Sequence, residues 1–83
     1  MSIRKVFSYN LKYYRFKQNY SQEKLAELAN INVKTLSDYE RCVSAPSFDT
    51  IEKLAVALKI DYYLLFKHID MVSLGKTIKN QCK

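Results

Sequence analysis

Residues 20–41 read YSQEKLAELANINVKTLSDYER. Two short helical patterns stand here, separated only by Asn30, Ile31 and Asn32, and their arrangement decides the fold. Ser21 is a good N-cap, because its hydroxyl can accept from an unpaired backbone N–H of the next turn. The pattern then predicts a helix over residues 22–29 that buries Leu25, Ala26 and either Leu28 or Ala29. Ala26 is small enough to let a neighbouring helix approach closely. Asn30 tolerates the left-handed conformation that ends a helix, Ile31 is an apolar plug, and Asn32 caps the next element. A third helix is expected from Val33 to about Arg41, with Leu36 and Tyr39 turned inward. Two helices joined by so short a turn cannot lie antiparallel, so they cross at a steep angle.

The flanking sequence is helical too. Ile3, Phe7, Leu11 and Tyr14 recur at helical spacing and predict a first helix over about residues 2–18, ended by Asn19. Tyr9, Tyr13 and Tyr20 are expected at the edge of the core. CVSAPS (residues 42–47) reads as a loop, because Pro46 forces the residue before it into extended backbone. Ser47 caps a fourth helix with the apolar stripe Phe48, Ile51, Leu54, Ala55 and Leu58. Asp61 is expected to cap a short fifth helix, YYLLF (residues 62–66). Residues 67–83 carry apolar side chains in no clean period, and the pattern leaves them open between a short sixth helix and a frayed end.

Composition sets the outer bounds. The chain has 83 residues, enough for one domain, and only one Gly and one Pro, which favours helix. No apolar run approaches the ~20 residues needed to span a bilayer, and MSIRKVFSYN lacks the apolar stretch of a signal peptide. The expectation is a soluble intracellular protein with no membrane partner. Cys42 and Cys82 have no metal-ligand spacing around them and read as reduced thiols.

The net charge of +6 is unevenly placed. Residues 1–22 hold Arg4, Lys5, Lys12, Arg15 and Lys17 and no acid, whereas the middle of the chain is balanced. A basic end is compatible with a polyanionic partner; a lysine-rich surface tuned for solubility explains the same numbers. His68 has no acid, thiol or second histidine at a useful spacing, and the chain has no Gly-rich phosphate loop. No enzyme site, metal or cofactor is expected.

A steep crossing of two short helices is the geometry of a helix-turn-helix, in which one helix lies across the DNA backbone and the next enters the major groove. In their order and spacing, LKYYR (11–15), residues 20–41, PSFDTIEKLAVAL (46–58) and IDYYLLF (60–66) resemble the Cro/CI-type (Xre) helix-turn-helix family of phage repressors and bacterial regulators. The resemblance runs over residues 7–66. It implies an all-α, compact five-helix, lambda-repressor-like DNA-binding domain over residues 1–66, followed by a C-terminal tail. It also implies a bacterial or phage-encoded cytoplasmic protein at the nucleoid whose partner is double-stranded DNA.

The resemblance assigns roles to particular positions. Gln22 falls where the family anchors a glutamine on phosphate and braces a base-reading side chain. Asn32, Val33, Lys34, Ser37 and Asp38 fall where the third helix faces base edges, with Thr35 among the DNA-binding candidates. Arg15 and Glu40 fall where the family has a partly buried ion pair. The chemistry fits: Lys34 can donate to guanine O6 or N7, Asn32 can meet phosphate or adenine, and Val33 can pack on a thymine methyl. Asp38 can accept from cytosine N4, repel phosphate, or pair with Arg41. Backbone N–H groups near Gln22 and after Ser47 can hold phosphates, and Lys12, Lys17, Arg41 and Ser44 are further candidate backbone contacts. The plainer reading makes Lys34, Ser37 and Asp38 a solvated helix face, and Arg15 and Glu40 surface charges worth little.

The chain also departs from the family. Most relatives carry Gly after the first, second and fourth helices, where this chain has Asn19, Asn30 and Lys59. A left-handed lysine costs about 1 kcal/mol, so the fourth helix is expected to end differently. Relatives also place polar residues at the positions of Tyr63 and Leu64. The aromatic patch Tyr62, Tyr63, Leu64 and Phe66 is therefore expected to form a two-fold homodimer interface, with the tail over Tyr63 and Leu64 as the competing arrangement. Such a dimer would present two third helices ~34 Å apart to a palindromic operator. Repression by blocking polymerase is the simplest mechanism. Activation by touching RNA polymerase also stays open, as in restriction-modification controller proteins of this length. The rival class is a helical protein-interaction module, antirepressor- or antitoxin-like, that binds DNA weakly or not at all.

Overall fold

The computed structural model describes residues 2–68. Four α-helices follow one another, α1 (Ile3–Lys17), α2 (Gln22–Ala29), α3 (Val33–Glu40) and α4 (Phe48–Leu58), and a single 3₁₀ turn, η1 (Tyr62–Leu65), closes the described chain. The class is all-α, as the periodicity predicts.

The start of each α-helix is fixed by a short polar side chain that accepts from a first-turn N–H. Ser2 accepts from Lys5, Ser21 from Lys24, Asn32 from Lys34 and Ser47 from Thr50, at 2.7–3.2 Å. All four helices also end alike, on a residue of positive φ: Asn19 (60°), Asn30 (56°), Cys42 (67°) and Lys59 (61°). Beyond each, the next backbone N–H reaches back to a carbonyl of the last turn: Tyr20 to Arg15, Ile31 to Ala26, Val43 to Asp38 and Ile60 to Ala55, at 2.8–3.1 Å.

Lys59 corrects the expectation that the fourth helix ends differently. It is left-handed at φ 61°, ψ 41°. The strain is offset because its own N–H and that of Ile60 both find carbonyls, while Gln18 Nε2 donates to Leu58 O at 2.7 Å.

The fifth helix is a second correction. Four residues close as a 3₁₀ turn, with Leu64 N–H on Asp61 O and Phe66 N–H on Tyr63 O, both at 3.0 Å. Asp61 stands at the capping position but makes no side-chain cap bond. So short a segment cannot complete the nucleus of an α-helix, and the tighter turn satisfies the same groups.

The core joins α1, α2, α3, α4 and η1 through Phe7, Leu11, Leu25, Ala26, Ala29, Leu36, Tyr39, Leu54, Ala55, Ala57, Leu58 and Leu65. Phe7 meets Tyr39 edge-on at 6.2 Å and stacks on Phe66 at 5.6 Å. Between the two residues weighed for α2, Ala29 is the buried one and Leu28 faces outward. Two stripe residues do not enter the core: Ile3 is 70% and Phe48 87% exposed. Both open their helices directly after a cap, and helical side chains lean towards the N-terminus. Tyr9, expected at the core edge, is fully buried, while Tyr13 and Tyr20 are half-buried.

Two buried polar residues bind the layers together. Ser8 Oγ donates to Tyr39 O at 2.7 Å, tying α1 to α3. Asn10 Nδ2 donates to Leu65 O at 3.0 Å and Lys67 O at 2.9 Å, so α1 holds the chain where it leaves η1. Cys42 is a free thiol. Beyond His68, the expected sixth helix or frayed end and Cys82 lie outside the described residues.

Candidate nucleic-acid interface

The turn between α2 and α3 is built from the residues that announced it. Asn30 is left-handed at φ 56°, ψ 49°. Ile31 is half-buried against the core. Asn32 Oδ1 accepts from Lys34 N–H at 2.7 Å and starts α3. Ala26 and Ala29 are buried on α2, and their small side chains give α3 and α4 room to pack against it.

This packing divides α3 into two faces. Leu36, Tyr39 and Glu40 are buried. Asn32, Val33, Lys34 and Arg41 are exposed, with Thr35, Ser37 and Asp38 half-buried beside them. Lys34, Ser37, Asp38 and Arg41 recur at steps of three and four and so form one stripe along the helix, with Asn32, Val33 and Thr35 around its start.

A charged lock holds the inward face. Arg15 on α1 donates through Nε to Glu40 Oε2 at 2.6 Å and through Nη2 to Oε1 at 3.0 Å. Its Nη1 donates to Tyr20 O at 2.9 Å. Gln22 Nε2 adds a third donor to Glu40, at 3.0 Å on Oε1. The side chains of Arg15 and Glu40 are 10% and 2% exposed, so this is a buried pair and not a surface one. The guanidinium also lies over the Phe16 ring, 4.6 Å from its centre. The end of α3 is therefore fastened at once to α1 and to the first residue of α2.

The outward face carries its own network. Asp38 Oδ1 accepts from Arg41 Nη2 at 2.5 Å, Ser37 Oγ accepts from Arg41 Nε at 3.3 Å, and Asp38 Oδ2 lies 3.8 Å from Lys34 Nζ. Of the three uses open to Asp38, pairing with Arg41 is the one present in the free protein.

The other candidates lie apart from this stripe. Lys12 and Lys17 are on α1, where Lys17 Nζ sits 5.7 Å from the centre of the Tyr13 ring. Ser44 is in the loop after α3, and Ser47 caps α4 and also shares a hydrogen bond with Thr50 Oγ1 at 3.0 Å. Among the described residues, no hydrogen bond or ion pair joins these four to the α3 face. The first turns of α2 and α4 carry Glu23 and Asp49. Each carboxylate competes with a phosphate for the positive end of its helix.

The aromatic patch is only partly outward. Tyr62 and Tyr63 are 63% and 58% exposed. Leu64 is half-buried, and Phe66 turns back to stack on Phe7. Beside Tyr62 runs an apolar cleft of about 360 Å³ lined by Ile3, Phe48, Ile51, Tyr62 and Phe66. Ile3 and Phe48 are the members that periodicity alone misplaced. Their position immediately after the caps Ser2 and Ser47 was the signal available for them.

Among the described residues no cluster of acids, histidines and cysteines could hold a metal ion, and no helix is long and apolar enough to cross a membrane. A helix-turn-helix family model (HTH_3) matches residues 11–65. The chain belongs to this Xre-type helix-turn-helix family, a class of DNA-binding proteins that regulate transcription. Two solved structures are similar to it. The restriction-modification controller protein C.AhdI from Aeromonas hydrophila is 33% identical, with a TM-score of 0.74 over 76% of this chain and 96% of that one. The hypothetical transcription factor NHTF from Neisseria is 28% identical, with a TM-score of 0.77 over 93% of this chain and 86% of that one. No curated protein matches.

Proposed function

We propose that this protein is a sequence-specific transcriptional regulator of the bacterial cytoplasm that binds a palindromic operator as a two-fold dimer, with α3 in the major groove. The observation that carries the reading is the division of α3. Leu36, Tyr39 and Glu40 anchor it, while Asn32, Val33, Lys34, Ser37, Asp38 and Arg41 form an outward stripe of donors, acceptors and one branched apolar side chain. Those types can read guanine, adenine, cytosine and the thymine methyl in a groove wide enough for a helix. Gln22, Thr35, Lys12, Lys17, Ser44 and Ser47 supply the backbone contacts that set register.

The dimer joins Tyr62, Tyr63 and Leu64 of one protomer to the same surface of its partner, about a two-fold axis. The exposed tyrosines and the apolar cleft beside them support this. Occupying an operator blocks polymerase. A dimer bound beside a promoter can instead touch RNA polymerase and activate, and the likeness to a restriction-modification controller keeps that mode in play. The same apolar surface is the observation favouring a second reading, a protein-interaction module with weak DNA binding.

Selection of the protein on random duplex DNA, read by sequencing, decides between them. The regulator enriches one motif with two-fold symmetry. Recovery of no motif favours the interaction module.

A further inference from the structure

The outward face of α3 pairs two exposed cations with one carboxylate beneath them. The side chains of Lys34 and Arg41 are 80% and 58% exposed, whereas that of Asp38 is 22% exposed. Exposed pairs of this kind contribute little to stability, so the fold does not explain the arrangement. Arg41 is held along one edge of its guanidinium, Nε on Ser37 Oγ and Nη2 on Asp38 Oδ1. A planar guanidinium fastened along that edge keeps Nη1 clear of both partners, and the Nη1/Nη2 end carries the two donors that can meet a guanine.

We propose that Asp38 is a positioning and specificity residue, which holds Arg41 and Lys34 on the recognition stripe and withholds them from unselective phosphate contacts. The proposal rests on the reading that α3 enters DNA. An arbitrary phosphate must compete with the Asp38 carboxylate for either cation and is repelled by it. Of the base edges, cytosine N4 gives a carboxylate a donor in the major groove. Opposite a cytosine the carboxylate therefore gains a donor, whereas opposite guanine O6 and N7 or thymine O4 it faces acceptors. The residue lowers binding to all DNA but lowers it least at the cognate site, which is how a repulsive element creates discrimination.

The test compares full-length wild type with Asp38→Ala and Asp38→Asn, titrated by fluorescence anisotropy on the selected operator and on a random duplex across a salt series. In both variants binding to the random duplex is expected to tighten. The slope of log K against log[salt] should steepen by about 1.8, for one extra phosphate neutralised by each protomer of the dimer. The operator-to-random ratio should fall about a hundredfold, about tenfold for one base-pair position in each half-site. Adding Arg41→Ala to Asp38→Ala should bring the slope back towards the wild-type value, a reversal that a merely structural role for Asp38 does not produce. Slopes and ratios equal to wild type, in variants that melt with wild type, overturn the proposal and leave the DNA reading standing. A wild-type protein that prefers no duplex overturns both.

Discussion

Arg15 and Glu40 are joined by two parallel hydrogen bonds, 2.6 and 3.0 Å long, in an interior where the carboxylate side chain is 2% exposed. A pair so placed gains little over apolar residues of the same shape, because desolvating two charges offsets their attraction. Breaking it is another matter, since it strands one buried charge. The pair stands where α1, the start of α2 and the end of α3 meet, so its geometry sets how the outward stripe of α3 is presented.

Removing one partner should therefore be costly. Arg15→Met leaves Glu40 with only Gln22 as donor and is expected to lower stability by ~3–5 kcal/mol in urea denaturation. Arg15→Met combined with Glu40→Leu should recover most of that loss. Single and double variants of equal stability would show that the pair is not buried in solution.

Lys59 offers a change in the opposite direction. Its left-handed backbone, φ 61° and ψ 41°, is one that glycine adopts without a Cβ penalty. Lys59→Gly should raise stability by about 0.5–1 kcal/mol, the relieved strain being partly offset by the freer unfolded chain. Thermal melting would register a higher Tm; a lower one would mean the lysine side chain contributes more than its backbone costs.

Tyr63 and Phe48 test the dimer. Both are exposed, and neither belongs to the core. Tyr63→Asp and Phe48→Asp should leave the helical circular dichroism unchanged. In sedimentation, Tyr63→Asp should shift a dimer to monomer, and Phe48→Asp should weaken the dimer if the cleft lies within the interface. Tyr63→Asp sedimenting as wild type would place the self-association elsewhere.

Much of this was legible in the sequence, for a local reason. Ser21, Asn30, Asn32 and Ser47 act within one turn of their own positions, so the boundaries of α2, the α2–α3 turn and the starts of α3 and α4 follow from short-range chemistry. Ile3 and Phe48 show the limit. They have the right period, but burial also needs a neighbouring element alongside, and both stay largely exposed. Cys42 takes a left-handed conformation with nothing in its side chain to favour it, because the fold needs the chain to leave α3 there. Asn10 was silent as well, since its partners, the carbonyls of Leu65 and Lys67, lie more than fifty residues away. The outward stripe of α3 was readable as a set of residues. Its internal pairing of Asp38 with Arg41 and Lys34 was foreseen only in part, because side-chain choice among several partners depends on geometry in three dimensions.

Lys34 and Ser37 stand on the outward stripe proposed to read the operator, and anisotropy titration of the selected operator against a random duplex measures their part. Lys34→Ala with Ser37→Ala should bring the operator affinity down to that of random DNA while helicity and oligomeric state remain those of wild type. An unchanged operator preference in that double variant would contradict the account, because sequence would then be read by some surface other than α3.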